Sequence, residues 1–139
     1  MPYLRHMGIR LVLIDDEEST RTGLAKALRR SSEVDLLGAA SGPTDASNLL
    51  QGERPDVVLL NLHRRDDADD IDGCARVCQL ASAPVLALAS FMTPERWAKV
   101  KDAGVAGYLL KRVDSGELSR DVVAFASGFA RHSPGKPTR

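Results

Sequence analysis

Asp15 and Asp16, Asn61, and Lys111 each stand directly behind a short apolar run, and their types suit charge chemistry at one shared edge. The acids close Ile9-Arg10-Leu11-Val12-Leu13-Ile14, the amide closes Val57-Val58-Leu59-Leu60, and the lysine closes residues 105–110. Paired carboxylates gather cations, and Glu17 and Glu18 deepen that negative field. A carboxylate can also attack phosphorus, whereas an amide is neutral and its oxygen is a poor nucleophile. Asn61 is therefore the residue whose presence needs a reason.

For these residues to meet, the runs must be strands of one sheet. An unbroken apolar run opened by Pro55 and closed by polar residues reads as a strand buried on both faces, at the centre of a parallel sheet. Residues 33–40 alternate more and suit an edge strand, while residues 84–89 and 105–110 supply the fourth and fifth strands. Helical stripes lie between them. The first carries Leu24, Ala27 and Leu28, and the second opens at Pro43-Thr44-Asp45 and runs through Leu49 and Leu50. Residues 62–72 read as an acidic loop before a helix bearing Cys74, Val77 and Leu80. Thr93-Pro94-Glu95 is an N-cap followed by proline at the first helical position, opening a helix with Trp97 and Val100 that stops at Gly104. Asp114 and Glu117 have capping-box spacing for a last helix striped by Leu118, Val122, Phe125 and Phe129. Five strands alternating with helices imply a doubly wound parallel sheet, and in such sheets ligands collect at the carboxyl ends of the strands.

Composition narrows the possibilities. A chain of 139 residues suits one domain, and nineteen basic residues balance nineteen acidic ones, so no global field draws it to nucleic acid or an anionic membrane. No apolar run approaches the roughly 20 residues of a membrane span, and the start lacks the order of a signal peptide, so a cytoplasmic location is expected. Residues 1–8 are expected to be a disordered lead, residues 9–130 the domain, and residues 131–139 a linker or tail. Cys74 and Cys78, one helical turn apart, read as small core residues rather than metal or disulfide partners. The aspartates of residues 62–72 do not follow the EF-hand spacing and are expected to be solvated; His63, alone among them, is expected neither to titrate nor to hold a metal.

Three stretches carry a family resemblance: Leu13-Ile14-Asp15-Asp16, Pro55-Asp56-Val57-Val58-Leu59-Leu60, and Gly104-Val105-Ala106-Gly107-Tyr108-Leu109-Leu110-Lys111. In order and spacing the chain resembles the receiver domain of two-component response regulators, most closely the subgroup with a LuxR-type helix-turn-helix. That resemblance implies a flavodoxin-like fold in which Asp15 and Asp16 would help hold Mg²⁺ and Lys111 would grip phosphate. It also puts Asn61 at the phosphoacceptor position, Ala89 at the position of a phosphate-sensing hydroxyl, with Ser90 one residue beyond, and Tyr108 at an aromatic switch position. Residues 62–72 reach Gly73 about four residues later than the family pattern.

These departures set the functional expectation. Asn61 cannot accept a phosphoryl group, Ala89 cannot report one, and Mg²⁺, short of one carboxylate, is expected to bind weakly or not at all. Lys111 is expected to pair with the aspartates, an attraction on the order of 1 to 4 kcal/mol before desolvation. The chain then reads as a phosphorylation-independent receiver, not an enzyme, that dimerises through its last helix or a face near Trp97 and Tyr108. It would respond to a protein partner or small ligand and act through a C-terminal DNA-binding domain, binding no DNA itself. A second reading moves phosphorylation to a loop aspartate such as Asp66. A third, a flavodoxin-like ligand binder or enzyme, must place phosphate against four acids, where phosphate-cradling folds have glycines, and no Ser-His-Asp or Cys-His arrangement supports it.

Overall fold

The computed structural model describes residues 8–63, 67–111 and 116–131. The expected lead and tail fall almost wholly outside the described residues, as do Asp66, Asp114 and the side chain of Phe129. Strands β1 (Ile9–Ile14), β2 (Val34–Ala40), β3 (Val57–Asn61), β4 (Val85–Ala89) and β5 (Gly107–Leu110) alternate with helices α1 (Glu18–Arg29), α2 (Pro43–Glu53), α3 (Asp67–Leu80), α4 (Pro94–Asp102) and α5 (Gly116–Arg131). All strands pair in parallel in the order β2-β1-β3-β4-β5. The central run is thus the central strand, buried along its whole length, and the alternating run is an edge.

The period of two divides the core into two layers. Val12, Ile14, Val58, Leu60, Val85, Ala87 and Ala89 face Ala46 and Leu50 of α2, Cys74 and Val77 of α3, and Trp97 and Val100 of α4. Leu11, Leu13, Val57, Leu59, Leu86, Leu88 and Leu109 face Ala25 and Leu28 of α1 and Val122 of α5. Gly107 permits the second layer to close, since a Cβ there would lie 2.8 Å from the Phe125 ring. Burial pushes the Cys74 thiol up to about 12, as suits an inert core cysteine.

Two boundaries differ from expectation. The acidic stretch is not a loop as far as residue 72: α3 already begins at Asp67, so Asp69, Asp70 and Asp72 lie in its early turns. Negative side chains there are stabilised by the exposed N–H ends of the helix, and Ile71 continues the apolar face toward Cys74. Leu80, expected on that face, ends the helix 37% exposed. β5 begins at Gly107 rather than at residue 105, because Gly104, at φ +115, turns the chain out of α4 and Val105 and Ala106 carry it into the sheet. The α4 boundaries follow the expected signals, with Thr93 Oγ1 accepting the Arg96 N–H at 3.1 Å.

Candidate functional site

Register places the first two site residues. Leu13 pairs with Leu59 and Ile14 with Leu60, so the next step sets Asp15 beside Asn61. Both continue the parity of the α1/α5 layer. At the sheet's end there is no further strand residue to cover them, and they meet each other: Asn61 Nδ2 donates to Asp15 Oδ2 at 3.0 Å, with Asn61 5% exposed and Asp15 fully buried.

His63 completes the cluster. It lies two residues beyond Asn61 on the same parity, and its Nε2 is 2.7 Å from Asp15 Oδ1 and 3.6 Å from Asp16 Oδ1. An ionised carboxylate can only accept, so Nε2–H is the donor to Asp15. The 3.3 Å approach of Asn61 Nδ2 to the same nitrogen is then a packing contact. The Glu17 N–H adds a second bond to Asp15 Oδ1 at 3.0 Å. Asn61 Oδ1 is buried with no hydrogen-bond partner among the described residues.

Desolvation alone would raise the Asp15 carboxyl, yet bonds from His63, the Glu17 N–H, Asn61 and Thr20 outweigh it and hold the group below its ordinary 3.8. A depressed carboxylate stabilises the fold fully above 3.8, and that contribution is lost as pH falls through the lower folded value. Asp15→Asn is therefore expected to flatten the acid limb of the stability profile. Urea midpoints measured across that range test this, and an unchanged slope would count against it.

Lys111 corrects an expectation. Its Nζ donates to the Leu62 carbonyl at 3.5 Å, and among the described residues it forms no ion pair with Asp15 or Asp16. Burial lowers its pKa, and the more distant charges of Asp15, Glu17 and Asp70 recover only part of that. His63 holds the place in which the lysine was expected, nearer along the chain and delivered by β3 itself.

Ala89 and Ser90 are not part of the cluster. Ala89 is fully buried on the opposite parity, in the layer under α3 and α4, and Ser90 follows the strand, exposed. Tyr108 and Trp97 are each 8% exposed with ring centroids 5.1 Å apart, tilted at 54°, so both belong to the core and neither ring offers an open face. A second charged group lies between α3 and α4. Arg96, 4% exposed, meets Asp70 Oδ2 at 2.7 Å, donates to the Phe91 carbonyl at 3.0 Å, and lies over the Phe91 ring.

A β2-β1-β3-β4-β5 parallel sheet, helices on both faces, and acids at the end of β1 define a receiver domain of flavodoxin-like fold. The chain belongs to the response regulator receiver domain family, whose model matches residues 11–123. It is 32% identical over 121 residues to the transcriptional regulatory protein LiaR of Bacillus subtilis, covering 86% of this chain and 57% of that one. It is 26% identical over 129 residues to the response regulator protein VraR of Staphylococcus aureus, covering 92% and 61%. The chain thus spans little more than half the length of these relatives. Among solved structures, the signal receiver domain of the putative response regulator NarL from Mycobacterium tuberculosis superposes with a TM-score of 0.69 at 28% identity, covering 87% of this chain and 98% of that one.

The family's hard cation does not fit these residues. Mg²⁺ demands near-octahedral oxygen ligation. Here an imidazole nitrogen stands between Asp15 and Asp16, where an ion that demands oxygen would need another oxygen ligand, and residue 61 brings an amide in place of a third carboxylate.

Proposed function

We propose that this chain is a receiver module that transmits a state without phosphoryl transfer at residue 61, within a longer transcription regulator. The observation that carries the reading is the Asn61 amide itself, buried and donating at 3.0 Å to the carboxylate that a phosphoacceptor would face across a cation. Its neutral oxygen is a poor nucleophile, and the N–H donors on Asp15 do the neutralising that metal would otherwise do. Ala89 supports the same reading, since it offers no hydroxyl and its side chain lies in the apolar layer. Tyr108 is already packed inward against Trp97, which suits a domain held in one state.

Output would then depend on association. With the rings of Trp97 and Tyr108 buried, α5 is the better of the two expected dimer surfaces. The names of the relatives and the share of their length this chain covers support a DNA-binding domain beyond the receiver, reached through the tail. No described helix is long and apolar enough to cross a membrane.

Incubation of the purified chain with acetyl phosphate and Mg²⁺ is expected to leave its intact mass unchanged. A stoichiometric aspartyl-phosphate would overturn the reading, and mapping it to Asp66 would establish phosphorylation at a displaced position instead.

A further inference from the structure

One ligand atom from each of Asp15, Asp16 and His63 lies within 4.8 Å of the others. We propose that these three side chains, with the Asn61 amide oxygen as a neutral fourth ligand, form a binding site for a divalent transition ion of the Zn²⁺ class.

The donor set selects the ion. Two carboxylate oxygens and an imidazole nitrogen suit a borderline ion that accepts mixed ligands at four-coordinate geometry, and they do not suit Mg²⁺. The buried amide is an independent pointer. Asn61 is directed into the cluster, with Nδ2 3.0 Å from Asp15 and 3.3 Å from His63, while Oδ1, buried, has no hydrogen-bond partner among the described residues. Turning the amide about its soft terminal torsion exchanges the two atoms and points the unsatisfied oxygen at the ion.

Little else has to move. Zn–N and Zn–O bonds near 2.0–2.2 Å at tetrahedral angles separate the two ligand atoms by roughly 3.3 Å, against the 2.7 Å between His63 Nε2 and Asp15 Oδ1. The imidazole must draw back by a fraction of an ångström and offer the Nε2 lone pair, carrying its proton on Nδ1 instead. Entry is open, because the Asp16 side chain is 54% exposed and a cavity of about 120 Å³ lined by Asp16, Asn61 and His63 adjoins the cluster. The ion would join the β1–α1 turn to the end of β3, two segments that contacts of Asn61 and His63 with Asp15 already bring together. This site does not rest on the absence of phosphorylation, and its test is separate.

Titration calorimetry of the intact chain near neutral pH, with Zn²⁺ and with Mg²⁺, reads the site directly, and Co²⁺ serves as the spectroscopic probe. One Zn²⁺ per chain is expected, bound far more tightly than Mg²⁺, with visible Co²⁺ bands of four-coordinate character. His63→Ala and Asp16→Asn should each weaken Zn²⁺ binding by at least about tenfold. Asp16→Asn changes an exposed residue, so it remains informative if the His63 variant folds poorly. A His6→Ala/His132→Ala variant should bind as the parent does. Zn²⁺ affinity unaffected by both His63→Ala and Asp16→Asn, affinity lost with His6 and His132, or Mg²⁺ binding as tightly as Zn²⁺ would each overturn the proposal.

Discussion

Replacing Asp70 with alanine is expected to lower stability by roughly 3–5 kcal/mol, the cost of breaking a buried ion pair by removing one partner. The magnitude follows from burial: Arg96 is 4% exposed and Asp70 12%, so neither charge is well screened by water and the guanidinium cannot recover its hydration in place. Arg96 would keep its other contacts, among them its bond to the Phe91 carbonyl and its position over the Phe91 ring, and these moderate the loss. For a domain of this size the melting temperature should fall by roughly 10 °C. Replacing both partners, Asp70→Leu with Arg96→Met, should recover much of the loss, because no desolvated charge then remains. Urea unfolding of the two single variants and the double variant measures the coupling. A loss below about 1 kcal/mol for Asp70→Ala would place the pair among surface-like bridges of little consequence.

This pair also shows where sequence reading ends. The aspartates of α3 were visible as a cluster, and their fit to a helix start was available from the dipole rule, but Asp70 and Arg96 are 26 residues apart and on different elements. Only the crossover through β4 brings them together, and no local pattern encodes that geometry. The sheet was legible for the opposite reason. Its strands are runs whose period and bounding residues are local, and parallel register then carries Asp15 to Asn61 without further information. His63 lay between these cases. Extending the parity Val57, Leu59, Asn61 by one step puts it on the site's side of the chain, a signal present in the sequence but masked by treating the residue as part of a solvated loop. Lys111 was assigned the wrong partner because residue type alone does not give reach. Its Nζ ends at the Leu62 carbonyl while the shorter imidazole, delivered by β3, takes the carboxylate.

Asn61→Asp, the smallest change toward a phosphoacceptor, is expected to destabilise the protein by about 3 kcal/mol in the presence of chelator. It exchanges a charge-assisted hydrogen bond, worth roughly 1.5–3 kcal/mol, for two like charges in contact. The separation is 3.0 Å in a place where residue 61 is 5% exposed, so water does little to screen the repulsion. The two carboxyls would titrate as a coupled pair, one of them far above the ordinary range. Mg²⁺ should now recover stability that it does not supply to the parent, because the variant offers a third carboxylate and removes the competing NH₂. Recovery of the cation site is not recovery of the response. Ala89 still has no hydroxyl and still points into the α3/α4 layer, so nothing connects an occupied rim to Tyr108. Trp97 is the only tryptophan in the chain, and it packs on Tyr108, so its emission reports that connection. In the Asn61→Asp variant with Mg²⁺, adding acetyl phosphate is expected to leave Trp97 emission unchanged even where mass spectrometry detects labelling. A clear emission change on labelling would mean that the aromatic pair still follows the rim, and that the amide at residue 61 is the sole block.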